Sequence, residues 1–105
     1  MKLGEKQELF AILIAQLVVW IYEQGYKVRL GHALRCENCP VGRKNSNHKI
    51  KLAQDINLFK NGTYLITTKD HEFIGIKWES MHQLCRWGGR FNDANHYSLE
   101  HEGRK

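Results

Sequence analysis

Two short segments carry side chains that could hold a metal ion and move a proton. The first places His48 and Asp55 seven residues apart, and the second places Asp93 three residues before His96. Zinc binds imidazole nitrogen and carboxylate oxygen, and a catalytic zinc site keeps one coordination position for water. Two histidines and one carboxylate are therefore a sufficient ligand set, and a further carboxylate beside them could act as a general base.

The spacing alone leaves a plainer interpretation open. The chain of 105 residues has six histidines and eleven acidic residues, so such pairs are common by chance and each member could be an ordinary surface or capping residue. The side chains of His48 and Asp55 would also point to opposite faces of a straight strand, because seven is odd. They can share a site only if His48 lies in a loop before the strand, which the polar run Asn45-Ser46-Asn47 favours.

Both segments resemble motifs of a zinc metallopeptidase family. This family contains D-Ala-D-Ala carboxypeptidases, vancomycin-resistance D,D-dipeptidases and phage L-alanyl-D-glutamate endolysins, and it carries Ser-x-His-x-x-Gly-x-Ala-x-Asp followed by Glu/Asp-x-x-His. The second motif occurs here in the Asp form of the endolysin branch. The matching residues are Ser46, His48, Ala53 and Asp55 in the first motif, and Asp93 and His96 in the second.

Two further stretches support the resemblance, and one position departs from it. Trp87-Gly88-Gly89 resembles the Trp-Gly-Gly stretch that the phage enzymes carry before the second motif. Arg35 stands where the family has an arginine at the end of an early strand. Lys51 occupies the glycine position of the first motif, which adds a side chain close to the implied metal strand.

The resemblance implies a role for each site residue. It implies that Zn²⁺ is the cofactor and that Asp93 is the general base. Arg35 would stabilise the oxyanion or hold a substrate carboxylate. Ser46 and Trp87 would contact the substrate, although aromatic residues at such spacings more often belong to the core. The implied metal ligands are His48, Asp55 and His96.

The implied activity is hydrolysis of peptidoglycan stem peptides, at the L-Ala-D-Glu or the D-Ala-D-Ala bond. The expected partner is therefore a bacterial peptidoglycan peptide, cut either by an endolysin or by a carboxypeptidase of wall metabolism. An alternative is a non-catalytic, zinc-stabilised binding module of the same fold, which the departure at Lys51 keeps open.

Charge and cysteine content limit the kinds of binding partner and the kinds of fold that the chain can have. The net charge of +5 and pI of about 9.2 favour polyanionic surroundings. Nucleic-acid binding through residues 43–51 would rest on charge alone and is not expected. Three cysteines exclude a fully paired disulfide framework. Cys36 and Cys39 form half of a structural zinc motif, but free thiols in a reducing compartment are the simpler prediction.

The apolar stretch 10–22 raises the question of a membrane. It is shorter than the roughly 20 residues that span a bilayer, so a buried helix is expected instead of a membrane span. Neither a purely positive segment before it nor a small-residue cleavage site after it is present, so no signal peptide is predicted. We expect a monomer held in the cytoplasm of a bacterial host until lysis, and thereafter at the cell wall.

Hydrophobic periodicity predicts a single α+β domain over residues 1–105, with a small antiparallel sheet and two main helices. The apolar side of the second helix is predicted to carry Phe73, Ile76, Trp78, Met81 and Leu84. In chain order the predicted elements are a helix over 5–25, a strand over 26–34, a loop over 36–47, a strand over 52–59, an Asn61-Gly62 hairpin turn into 63–67, a helix over 69–85, a bend at Gly88-Gly89 and a strand over 97–100.

Overall fold

The protein, seen in a computed structural model, is described over residues 1–31 and 52–103. These ranges confirm the predicted α+β class: two helices pack with a five-stranded antiparallel sheet. The predicted loop over 36–47 and the end of the first predicted strand lie outside the described residues. The elements are α1 (Leu3–Glu23), β1 (Lys27–Leu30), β2 (Ala53–Lys60), β3 (Thr63–Leu65), α2 (Thr68–Met81), β4 (Cys85–Trp87), a 3-10 helix (Gly88–Phe91) and β5 (His96–Leu99).

Strand β2 is the long central strand of the sheet. Along one edge it pairs with β1, and along the other it pairs first with β5 and then with β3. Strand β4 pairs with the far edge of β5. Because side chains alternate along a strand, Ile56 and Leu58 share one face of the sheet, whereas Asp55, Asn57 and Phe59 share the opposite face.

The helices cover the face that carries Ile56 and Leu58, and the core forms between these layers. Helix α1 ends at Glu23, two residues before the predicted end, and Gly25 lies in the turn that follows, with a φ of 91° that is readily adopted only by a residue without a side chain. We call the opposite face of the sheet, with Asp55, Asn57 and Phe59, the outer face. The buried residues of α1 recur every three or four positions; they are Phe10, Leu13, Leu17 and Ile21.

The predicted Asn-Gly hairpin is confirmed. Asn61 and Gly62 both have positive φ, 52° and 79°, which is the backbone of a two-residue hairpin turn of the primed type. This turn sets the register of β2 against β3, with Lys60 opposite Thr63. Phe59 is thereby paired with Tyr64 on the outer face.

The predicted apolar side of α2 is partly wrong. Phe73 and Ile76 are each 52% exposed, and the buried positions include His71 and Gly75. Positions 71, 74, 75 and 78 do form one helical face. Because two of them are a histidine and a glycine, the pattern of apolar residues does not predict this face. Gly75 is needed there because a Cβ at this position would overlap the indole ring of Trp87.

Helix α2 also ends earlier than predicted, at Met81, and the three-residue strand β4 follows. The start of α2, at Thr68, lies one residue from the predicted start. A capping box stabilises it: Thr67 accepts a hydrogen bond from the backbone of Asp70, and Asp70 accepts one from the backbone of Thr67. No helix within residues 1–31 and 52–103 combines the length and the hydropathy needed to cross a bilayer.

Candidate metal site

Strand pairing brings two of the predicted zinc ligands together. Asp55 of β2 and His96 of β5 are direct cross-strand partners, so their side chains share the outer face. The Nδ1 atom of His96 lies 4.0 Å from Oδ1 of Asp55. Both residues are buried, with exposed fractions of 1% for His96 and 8% for Asp55.

A tight turn adds the predicted base to this pair. The backbone N–H of Asp93 donates to the carbonyl of Gly88 at 2.8 Å, and the N–H of His96 donates to the carbonyl of Asp93 at 3.0 Å. Asn92 supports the turn with a left-handed backbone, φ 62°. Oδ2 of Asp93 consequently lies 3.8 Å from the same Nδ1 of His96, and the Asp93 side chain is 47% exposed. The carboxylate therefore adjoins both the imidazole and solvent.

Gly88 makes this approach possible. A Cβ at Gly88 would overlap the carbonyl oxygen of Asp93 and lie 2.6 Å from Cβ of His96. A Cβ at Gly89 would overlap the ring of Trp87. Each glycine of the Trp-Gly-Gly stretch thus removes a side chain from a position that another group occupies.

Trp87, predicted to contact substrate, lies inside the core with 2% of its surface exposed. Its indole N–H donates to the carbonyl of Ala94 at 2.8 Å, so the ring holds the turn that carries Asp93. Arg90 packs over the ring, 5.3 Å from its centroid, and also pairs with Glu79. This placement favours a supporting role for Trp87 over a contact with substrate.

The remaining predicted site residues lie outside the described residues and stay predictions; they are Arg35, Ser46 and His48, together with the departure at Lys51 and the pair Cys36 and Cys39. Among residues 1–31 and 52–103, no group of three or more His, Cys, Asp or Glu side chains is arranged to hold a metal ion. Cys85 is a buried free thiol, and burial raises its pKa to about 12.

The described pair fits a zinc ion as two of its ligands. Zinc holds nitrogen and oxygen ligands at about 2.0–2.2 Å, so ligand atoms of a tetrahedral site lie roughly 3.4 Å from one another. The 4.0 Å between His96 Nδ1 and Asp55 Oδ1 approaches this separation, and a small side-chain rotation would close the difference. One imidazole and one carboxylate also match the donor types that zinc prefers.

A polar cleft of about 260 Å³ opens beside Asp93. The amide of Asn95 donates to Oδ1 of Asn57 at 3.0 Å, which joins this loop to β2. The hydroxyl of Tyr64 donates to the same oxygen at 3.3 Å. The cleft is lined by Tyr64, Leu65, Ile66, His71, Asn92, Asp93, Ala94 and Asn95.

His71 and Tyr97 connect the cleft to the core: His71 lines the cleft, and Tyr97 is fully buried. The imidazole Nε2 lies 3.1 Å from the carbonyl of Leu65, which can only accept, so Nε2 carries the proton. Nδ1 then accepts from the hydroxyl of Tyr97 at 3.0 Å. Burial lowers the pKa of His71, against opposing effects of Leu65 and Asp70, and burial raises the pKa of Tyr97.

This arrangement predicts acid sensitivity. The pKa of His71 in the folded protein lies below the ordinary value of 6.5, so the unfolded chain binds the proton more readily. The contribution of neutral His71 to stability is complete above about pH 6.5 and is lost as the pH falls toward its folded pKa. His71→Gln should reduce the decline in unfolding free energy between pH 7.5 and 5, measured by urea denaturation. An unchanged decline would show that another group titrates.

No protein-family model matches the chain, and no curated protein matches it significantly.

Proposed function

We propose that the protein is a zinc-dependent peptidase that hydrolyses peptidoglycan stem peptides. One observation carries this proposal: Asp55 and Asp93 approach the same nitrogen of His96, at 4.0 and 3.8 Å. The family resemblance implies this grouping, with Asp55 and His96 as ligands and Asp93 beside them as base. His48 would complete the ligand set.

The chemistry divides between the metal and the protein. When bound, zinc would polarise the scissile carbonyl and lower the pKa of a water molecule toward ~7. Asp93 would accept the proton of the attacking water and pass it to the nitrogen of the leaving amine. Its partly exposed carboxylate lies at the cleft, where a peptide can reach it. Asp55 and His96 would hold their positions because the sheet register fixes them.

The surroundings of Asp93 suit a short peptide. The cleft of about 260 Å³ is small and offers the amide groups of Asn92 and Asn95, which can hydrogen-bond a peptide backbone. The net charge of +5 favours association with an acidic cell wall. The L-Ala-D-Glu and D-Ala-D-Ala bonds are the candidates that the resemblance implies.

The direct test is incubation of the protein with purified peptidoglycan and zinc, followed by mass spectrometry of the released fragments. New peptide termini are expected, and their identity assigns the bond. Zinc binding without new termini would contradict the peptidase and support the binding module. Lys51, which occupies the glycine position of the motif, is the sequence feature that favours this alternative.

Zinc content tests the ligands separately from activity. We expect one zinc per chain, and we expect His96→Ala and Asp55→Ala each to weaken zinc binding by at least about 100-fold. Elemental analysis after dialysis measures this on protein shown to be folded by circular dichroism. His101→Ala is the control, because His101 lies just past β5 and contacts Lys6 instead of Asp55. Equal zinc retention in all three variants would refute the ligand assignment.

A further inference from the structure

Four side chains form a basic-aromatic cluster on the outer face of the sheet: Lys27, Arg29, Phe59 and Tyr64. Lys27 is the cross-strand partner of Phe59 on one side of β2, and Tyr64 is its partner on the other. Arg29 is paired with Asn57, one step along the same face. The cluster therefore lies on the face that carries Asp55, nearer the hairpin.

Stacking holds the cluster in place. The guanidinium of Arg29 lies 4.3 Å from the centroid of the Phe59 ring. Tyr64 stacks on Phe59 with centroids 5.0 Å apart and an interplanar angle of 21°. A guanidinium that stacks on a ring keeps its N–H groups directed outward in its own plane, where they can bind a phosphate or carboxylate in a bidentate manner. Arg29 and Lys27 are both exposed.

A cavity of about 570 Å³ adjoins the cluster, between the α1–β1 turn and the hairpin. None of its described lining residues is acidic, so the field of the two cations is not cancelled inside it. The cavity is lined by Tyr22, Gly25, Lys27, Val28, Arg29, Phe59, Asn61 and Gly62.

The cluster is separated from the candidate metal site by a short length of strand. Phe59 and Asp55 lie four residues apart on β2, which corresponds to about 13 Å at the rise of a strand. An extended cell-wall polymer could therefore contact the cluster while a stem peptide of the same cell wall occupies the cleft at Asp93.

We propose that the basic-aromatic cluster is a second binding site, which takes a phosphate-bearing cell-wall polymer. The choice of a wall polymer rests on the proposed function. Single-stranded nucleic acid is disfavoured because it needs free ring faces on which bases can stack. Arg29 and Tyr64 stack on Phe59 from strands on opposite sides of β2, so the outer side of Tyr64, which is 49% exposed, is the one ring face of the cluster left for a base. The cluster offers charge, which suits a polyanion without bases.

Binding of synthetic poly(glycerol phosphate) to the full chain tests the proposal without any requirement for hydrolysis. The double variant Lys27→Gln/Arg29→Gln should weaken binding about tenfold at low salt, and the salt dependence of the remaining affinity should be shallower. Lys2→Gln/Lys69→Gln removes the same charge from exposed positions elsewhere and should change the affinity less than twofold.

The outcomes separate this proposal from the peptidase. Equal loss in both double variants, or no loss in either, would show that only overall charge matters and would overturn the second site. Tighter binding of poly(dT) than of poly(glycerol phosphate), lost on Lys27→Gln/Arg29→Gln, would assign the cluster to nucleic acid instead. Hydrolysis of a small soluble stem peptide should be unchanged in Lys27→Gln/Arg29→Gln, so a failure of the peptidase would appear in that assay alone.

Discussion

Asp93→Asn is expected to reduce peptide hydrolysis by roughly 10²–10⁴-fold while the zinc content and the fold persist. The asparagine keeps the size of the side chain and one hydrogen-bonding oxygen, but it cannot accept a proton from water. The turn that places residue 93 depends on backbone hydrogen bonds to Gly88 and His96, which the substitution retains. The Asp93 side chain is 47% exposed, so its replacement leaves no buried charge unpaired.

The measurement is the hydrolysis rate alongside zinc stoichiometry for three variants. Asp93→Glu should retain part of the activity, because it keeps the carboxylate and the resemblance allows glutamate at this position. His96→Ala serves as the reference for metal loss. If Asp93→Asn cleaves at the wild-type rate, another residue is the base. If it loses zinc as His96→Ala does, Asp93 is a metal ligand and its proposed role is wrong.

Local patterns predicted those parts of the fold that local forces decide. Helix α1 has a periodic apolar face, and the Asn61-Gly62 turn has residues suited to positive φ, so both were predictable. The buried face of α2 could not be predicted in this way, because it packs against Trp87. The indole ring occupies the space where a side chain at position 75 would lie, so this buried position is a glycine instead of an apolar residue. Strand β4 has only three residues and forms because β5 lies beside it, so no local sequence pattern predicted it.

The candidate site shows the same division. Motif order indicated Asp55, Asp93 and His96 as candidates, but the sequence could not show that β2 and β5 pair in the register that makes Asp55 and His96 partners. That register is set by the whole sheet. The burial of His71 has a signal in the sequence: it precedes Ile74 and Trp78 by three and seven residues, so it lies on the same helical face as two apolar residues.

Gly88→Ala is expected to destabilise the fold by about 3 kcal/mol, the upper part of the usual range for added volume in a packed interior. Gly88 is buried, and its added Cβ would meet the carbonyl of Asp93 and Cβ of His96. The carbonyl of Asp93 belongs to the backbone of a hydrogen-bonded turn, and Cβ of His96 is bonded directly to the backbone of β5. Neither neighbour can therefore move aside as the end of a flexible side chain would. Displacement of the turn should separate Asp93 from His96, and zinc affinity and hydrolysis should fall with it.

Gly4→Ala is the matched control for this substitution. Gly4 lies in α1, where a Cβ would meet nothing within 4 Å, and alanine there should be neutral or stabilise the protein by up to about 1 kcal/mol. Urea unfolding of the two variants and the wild type gives the free energies, and titration with zinc gives the affinities. Wild-type stability in Gly88→Ala would mean that the turn does not lie against residue 88. A loss of stability with unchanged zinc affinity would mean that the turn is independent of the metal ligands, because a displaced Asp93–His96 turn would otherwise move His96.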